Sequence, residues 1–389
     1  MTGMNELSLV NRTHPVFASD YERHLREIRE ALVGARVLVV GGAGSIGGTV
    51  VRKLFDLAPK ALHVVDINEN SLADLVRHIR SGSGYTTEDF RTICFDLLHP
   101  SADAFFELNG PYDFVFNFAA VKHVRSEKDP FTLARMLAVN VHLTHRLARW
   151  ASETGARRVF SVSTDKAANP ANLMGASKRI METIGLRYSE ALFSSARFAN
   201  VAFSNGSLLK AFWDRLDQKQ PIAAPSNIRR FFITHDEAAN LCLLSALAAP
   251  PGTIGIPRAP GEIELTLFVD VAENVLRSRG YEPLRCTSEE EARNTEPESW
   301  RWPCYFFESD TSGEKPFEEF IAANESMLQS PFEEISLLQS PLIGDDEQLE
   351  KLLSIDPIVM SKGEVVERFA QVVPGFAHIE TGRNLDQKM

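Results

Sequence analysis

Arg36-Val-Leu-Val-Val40 runs directly into Gly41-Gly-Ala-Gly-Ser-Ile-Gly47, and Gly48 to Phe55 continues as a helix. A buried strand, a glycine-rich turn and a helix in that order leave few folds open. Glycines at 41, 44 and 47 let the backbone turn tightly and approach a pyrophosphate, and the free N–H groups of the new helix point at the anion. Gly41, Ala43, Gly44, Ser45, Ile46 and Gly47 are therefore candidates for binding a dinucleotide. A glycine triplet alone is a weak signal, but here a second strand, Leu62-His-Val-Val-Asp66, follows. Asp66 lies 19 residues past Gly47. An acid there accepts both ribose hydroxyls of an adenosine and repels a 2′-phosphate, which favours NAD over NADP.

The alternation of strand and helix continues. Leu72, Leu75, Val76 and Ile79 mark a helix, and Thr92-Ile-Cys-Phe95 a strand ending at Asp96, an adenine contact candidate. Asp113-Phe-Val-Phe-Asn117 leads into Ala119 and Ala120, small enough for a cofactor to pass, and then Lys122 and His123. These two could reach a phosphate or the reacting group. Asn68, Leu97, Asn140 and Ser163 complete the cofactor candidates. A long helix is expected from Phe131 to Thr154; its His142 and His145 have no acid or thiol to complete a metal site.

Arg158-Val-Phe-Ser-Val162 is an apolar strand that breaks at Thr164-Asp165-Lys166. Strand ends in open parallel sheets face the ligand crevice. A hydroxyl, a carboxylate and an ammonium together there suit proton transfer better than a solvated loop. A helix from Leu173 to Leu192 adds Lys178, four residues after Met174. The next strand, Ser195 to Asn200, leads to Ser204, Asn205 and Ser207. Alternation is then lost.

The expected fold class is α/β, a Rossmann-type doubly wound parallel sheet with a smaller mixed α/β substrate domain. The expected division is a helical extension at 1–34, with a capping box at Ser19-Asp-Tyr-Glu22. A dinucleotide-binding domain covers 35–203, with helix 234–249 returning to it. A substrate domain covers 204–233 and 250–325, including an exposed acidic excursion at 281–300. A tail at 326–389, with short helices near 346–353 and 362–373, could make an oligomer contact.

A net charge of -11 without a basic run argues against nucleic acid as a partner. The four cysteines lack metal-ligand spacing, and no metal is expected. The start shows no signal peptide and no apolar run is long enough to span a bilayer, so a cytoplasmic location is expected.

Taken together, Gly41–Gly47, Ala119-Ala-Val-Lys-His-Val124, Ser163-Thr-Asp-Lys-Ala-Ala-Asn-Pro170, Gly175-Ala-Ser-Lys178, Arg197-Phe-Ala-Asn-Val201, Arg230-Phe-Phe-Ile-Thr234 and Gly313-Glu-Lys315 resemble one family. The chain resembles the extended short-chain dehydrogenase/reductases, and within them the bacterial UDP-N-acetylglucosamine 4,6-dehydratases of polysaccharide biosynthesis. The resemblance implies oxidation at C4 of the sugar, loss of water across C5 and C6, and return of the hydride to C6, on a tightly held NAD regenerated each turnover. It implies Thr164 at the C4 oxygen, Asp165 as acid, Lys166 as base at C5 and Lys178 at the nicotinamide ribose. It implies Arg230 on the UDP phosphates, Asn200, Ser207 and Arg258 around the nucleotide, Glu314 towards the uridine, and a homo-oligomer.

Met174 stands where the superfamily's usual tyrosine precedes the lysine by four, and a thioether cannot take a proton. A subset of these dehydratases also carries methionine there. Thr311-Ser312 replaces the Arg-Pro common before Gly-Glu-Lys. Two other readings are a nucleotide-sugar 4-epimerase or simple oxidoreductase, which needs no C5 base, and a catalytically silent NAD-binding scaffold, which needs none of the three polar groups at one strand end.

Overall fold

The computed structural model describes residues 6–189, 192–258, 265–309 and 318–379. Strand β1 (Arg36–Val40) shows how the sheet is built. Val37 and Val39 pack on one face with Val50, Leu54 and Phe116. Leu38 and Val40 pack on the other with Phe105, Val115 and Leu147. Such an apolar run needs helices on both faces, the condition of a buried parallel sheet. The neighbours are β2 (Ala61–Asp66), β3 (Asp89–Cys94), β4 (Phe114–Asn117), β5 (Arg158–Thr164) and β6 (Phe193–Phe198). Their order is β3-β2-β1-β4-β5-β6, all parallel, with Val39 paired to both Val64 and Phe116. The order reverses between β1 and β4, and a crevice opens at the strand ends there. The fold is α/β and Rossmann-type.

The sheet is larger than the sequence pattern suggests. Ile254–Pro257 adds to β6 in parallel, Ile335–Gln339 adds antiparallel to that, and Ser326–Leu328 closes the edge, giving nine strands. Two expectations are corrected here. Residues 254–257 belong to the main sheet, not the smaller unit. The segment from 326, expected as a tail with two short helices, also supplies strands that extend the sheet, and the buried Leu349, Leu352, Val365 and Phe369 of its helices join a core with Ile180 and Ile184. Strands of three and five residues are too short to show a period.

The smaller unit is a three-stranded parallel sheet of Glu282–Cys286, Arg301–Phe307 and Ile222–Pro225. Leu209, Phe212, Val275 and Trp302 fill its core. The expected excursion at 281–300 therefore supplies a strand and a short helix, Glu289–Asn294. The helix after β4 runs without a break from Pro130 to Thr154, with a π-helical turn at Ala138–His142.

Helix α1 (Glu6–Leu9) puts Leu9 and Val10 into the small unit's core, and α2 (Ala18–Leu32) puts Ile28 and Leu32 into the main one. Between them Arg12 pairs with both oxygens of Glu237, at 2.6 and 2.9 Å. The expected capping box does not form. Helix α2 starts two residues earlier than that box requires, so Ser19 lies within its first turn and donates to Glu334.

One polar cluster lies deep in the main unit. Arg197 of β6 is fully buried. It donates to both oxygens of Glu182 (2.8 and 2.6 Å), to both of Glu325 (2.7 Å each) and to the Phe320 carbonyl (2.8 Å). Arg179 also bonds Glu325, and Glu182 accepts from the Ser163 hydroxyl at 2.6 Å. Burial alone would raise the Glu325 carboxyl, but the hydrogen bonds and charge of Arg197, with Arg179, bring it down to about 2. Removing one partner of such a cluster strands a buried charge. Arg197→Ala should cost about 3–5 kcal/mol of stability, read as a lower urea midpoint with an unchanged slope. A loss below about 1 kcal/mol would mean that the cluster supports little.

Candidate functional site

Two adjoining clefts, of about 460 and 240 Å³, lie where β1 and β4 diverge. They share Gly41, Gly44, Phe118 and Ala120, so the glycine turn is the ridge between them. At Gly41, φ is 71° and a Cβ would sit 2.5 Å from the Ala119 nitrogen. At Gly47 a Cβ would sit 2.4 Å from the Gly41 carbonyl oxygen. The fold itself demands glycine at both. Gly44 differs: a Cβ there meets nothing closer than 3.4 Å. Its missing side chain serves the clefts it lines and not the turn, which corrects the expectation of a common role for the three.

Asp66, at the end of β2, lines the smaller cleft. Its oxygens accept from the Ala43 and Asn68 nitrogens, each at 3.0 Å, so the acid also braces the turn. Asp96, Leu97 and Ala119 line the same cleft. Asp96 pairs with Arg135 at 2.9 Å. Arg135 had no signal in the sequence beyond its place in an amphipathic helix. Ser45, Ile46 and Gly47 line the larger cleft, where α3 (Ser45–Asp56) begins. Two pockets joined across a glycine turn and a helix N-terminus fit a molecule of two nucleosides joined by a pyrophosphate. These residues fit a nicotinamide dinucleotide.

The larger cleft continues past the end of β5. Ser163, Thr164 and Lys166 line it. The Thr164 hydroxyl donates to Asp165 Oδ1 at 2.6 Å, and Lys166 Nζ lies 3.2 Å from the same oxygen. Asp165 is buried behind this pair, with its side chain 8% exposed against 41% for Lys166. The Leu173–Ser189 helix returns close to this turn, because Gly175 lets it approach; a Cβ there would sit 2.5 Å from the Lys166 carbonyl oxygen. Met174 and Lys178, one turn apart on that helix, both line the cleft. Lys178 Nζ donates to the Val162 carbonyl at 2.9 Å. Burial pushes Lys178 down to about 8, against the pull of Glu182. Glu127 holds the start of this helix, accepting from the Leu173 nitrogen at 2.7 Å.

Lys122, His123, Asn200 and Ser207 also line this cleft. Lys122 donates to the Asn205 carbonyl at 2.9 Å, and His123 packs against Gly206. Burial lowers the pKa of both, helped at His123 by Lys122 and Arg125. Ser207 caps the Leu208–Asp217 helix. Other candidates lie apart from the cleft lining. Asn68 caps the helix after β2. Asn140 is buried, bonded to Val121 and Ser177. Arg258 donates to the Phe332 carbonyl. Arg230 pairs with Glu318, a residue absent from the sequence reading. Glu314 lies outside the described residues. Among the described residues no group of three or more His, Cys, Asp or Glu is arranged to hold a metal, and no helix is long and apolar enough to cross a membrane.

Residues 37–340 match a family described as "Polysaccharide biosynthesis protein". A Methanocaldococcus jannaschii protein named "Uncharacterized membrane protein MJ1061" is 32% identical over 64% of this chain and 73% of its own. A Campylobacter jejuni protein named "UDP-N-acetylglucosamine 4,6-dehydratase (inverting)" is 25% identical over 58% of this chain and 68% of its own. Of two longer polysaccharide-biosynthesis relatives the chain spans about half, 49% and 48%. A solved structure, that of Pen from Bacillus thuringiensis, superposes with a TM-score of 0.64 over 80% of this chain and 89% of that one, at 24% identity.

Proposed function

We propose a function from one premise: the chain belongs to the polysaccharide biosynthesis protein family. It is a nucleotide-sugar 4,6-dehydratase, with UDP-N-acetylglucosamine as substrate and NAD as cofactor. The observation that carries this reading is the linked Thr164–Asp165–Lys166 group, whose Thr164 and Lys166 line the same cleft as Lys122 and His123. The Campylobacter relative's name supports the same substrate class. Asp66 facing the adenosine side supports NAD over NADP.

When bound, the cofactor accepts the hydride from C4 and returns it to C6. The protein's residues move the protons. Met174 cannot accept the C4 hydroxyl proton. Thr164 donates its own hydrogen to Asp165, which leaves its oxygen able to accept one from a C4 hydroxyl in the cleft it lines. A relay from the C4 hydroxyl through Thr164 to Asp165 therefore loads Asp165 with a proton. Lys166 takes the C5 proton, and Asp165 returns its own through the Thr164 hydroxyl to the departing C6 hydroxyl. The proton removed at C4 is the one that water needs to leave. Lys178, as an ammonium, supplies positive potential beside the nicotinamide ribose and the developing C4 oxyanion.

Proton NMR of the protein with UDP-N-acetylglucosamine should show a new methyl doublet, the C6 group of a 4-keto-6-deoxy sugar. Lys166→Ala and Asp165→Asn should each slow its appearance by about 10²–10⁴-fold while NAD content is retained. New ring signals without a methyl doublet would instead identify an epimerase. Lys178 also predicts a pH limit. The ammonium dominates below about 8 and the amine above it. kcat/KM should fall above that pH, by about tenfold per further unit, and Lys178→Arg should remove the fall. A profile flat to pH 10 in the unaltered protein would deny Lys178 this role.

A further inference from the structure

The loop between Val201 and Leu208 is tied to both elements between which the crevice opens. Ser45 begins α3, directly after the β1 turn, and Lys122 follows β4. Asn205 is bonded to both through its backbone. Its N–H donates to Ser45 Oγ at 2.9 Å, and its carbonyl accepts from Lys122 Nζ at 2.9 Å. Next to it, a Cβ on Gly206 would sit 2.9 Å from His123 Nε2. Ser45, Lys122, His123, Asn205 and Gly206 all line the larger cleft. Asn205 and Gly206 are exposed, whereas Ala202, Phe203 and Leu209 on either side are buried in the small unit's core. The loop is thus a short bridge with fixed ends and a tip held by two hydrogen bonds. The Ser207 nitrogen donates to the Ser204 carbonyl at 2.9 Å and φ at Gly206 is 75°, which makes the tip a tight turn with Asn205 at its first central position.

We propose that this bridge is a clasp over the dinucleotide, which enters and leaves only when Asn205 lets go of Ser45 and Lys122. The proposal rests on the reading of the two clefts as a dinucleotide site. A molecule that spans them must cross the glycine ridge where α3 begins, and the bridge is anchored there by Ser45. Each bond is weak enough to break singly, so the clasp slows exchange without sealing the cleft. Slow exchange suits a cofactor that accepts a hydride and returns it within one turnover.

Asn205→Pro tests this, because proline fits the first central position of such a turn and removes the N–H that Ser45 receives. Labelled NAD is chased out of the loaded protein with excess unlabelled NAD, and affinity is read by equilibrium dialysis. Only protein that holds NAD is followed in the chase, so a loss of stability does not mimic the result. Release should quicken about fivefold, the worth of one net hydrogen bond. The Kd should change less than about twofold, because the same bond is broken whether the cleft is loaded or not. Asn205→Ala, which keeps both backbone bonds, should leave the release rate as it is. Faster release matched by an equal loss of affinity would overturn the proposal, since that is the effect of removing a contact to the cofactor and not of opening a gate. An unchanged release rate in Asn205→Pro, or an equal quickening in Asn205→Ala, would overturn it too. In each of these cases the bound NAD leaves the dinucleotide reading standing. An unaltered protein that takes up no NAD would overturn both.

Discussion

Arg197 is a charge without water around it, and two carboxylates from distant parts of the chain make its burial tolerable. Glu182 comes from the helix that carries Met174 and Lys178. Glu325 comes from the segment just before the last two strands of the main sheet. Glu182 also accepts from Ser163, beside Thr164 at the end of β5. The cluster thus fixes β5, β6, the site helix and the C-terminal strands to one another. The distances between Thr164, Lys166 and Lys178 are consequences of that arrangement. An ion cluster of this kind need not add stability over an apolar core. What it does is allow one alignment of four elements and penalise others.

The first half of the chain was legible in the sequence because its signals are local. Arg36 to Asp66 states a strand, a turn and a strand within about thirty residues, and Gly41 and Gly47 are glycine for reasons internal to the turn. Thr164, Lys166, Met174 and Lys178 were legible as a group because one strand end and one helix bring them to the same cleft. The rest depends on partners far along the chain. Ser326–Leu328 and Ile335–Gln339 are strands only because Ile254–Pro257 offers them an edge. Arg135 and Glu318 gain meaning only from Asp96 and Arg230. Asn140 and Arg258 looked available for a ligand because a sequence does not show that their hydrogen bonds go to Val121 and Phe332.

The site is built in two halves with different tolerances. On the dinucleotide side the backbone itself forms the wall, so a single added methyl at Gly41 or Gly47 would collide with main-chain atoms. Beyond β5 the wall is made of side chains, and Met174, at the place of the usual tyrosine, is buried while lining the larger cleft. A thioether accepts no proton, and in the proposed reading the hydrogen bond from Thr164 to Asp165 supplies another route. In this reading oxidation at C4 and loss of the C6 hydroxyl share one proton, held on Asp165 between the two steps.

The dehydratase reading itself is tested most directly in deuterated water. The purified protein, without added cofactor, is given UDP-N-acetylglucosamine and the product is weighed by mass spectrometry. Loss of one water together with gain of deuterium at C5 is the expected result, since the C5 proton leaves to Lys166 and is replaced from solvent. An unchanged mass, with NAD supplied and UDP bound, would rule out the dehydratase and leave the Thr164–Asp165–Lys166 group without the role given to it here.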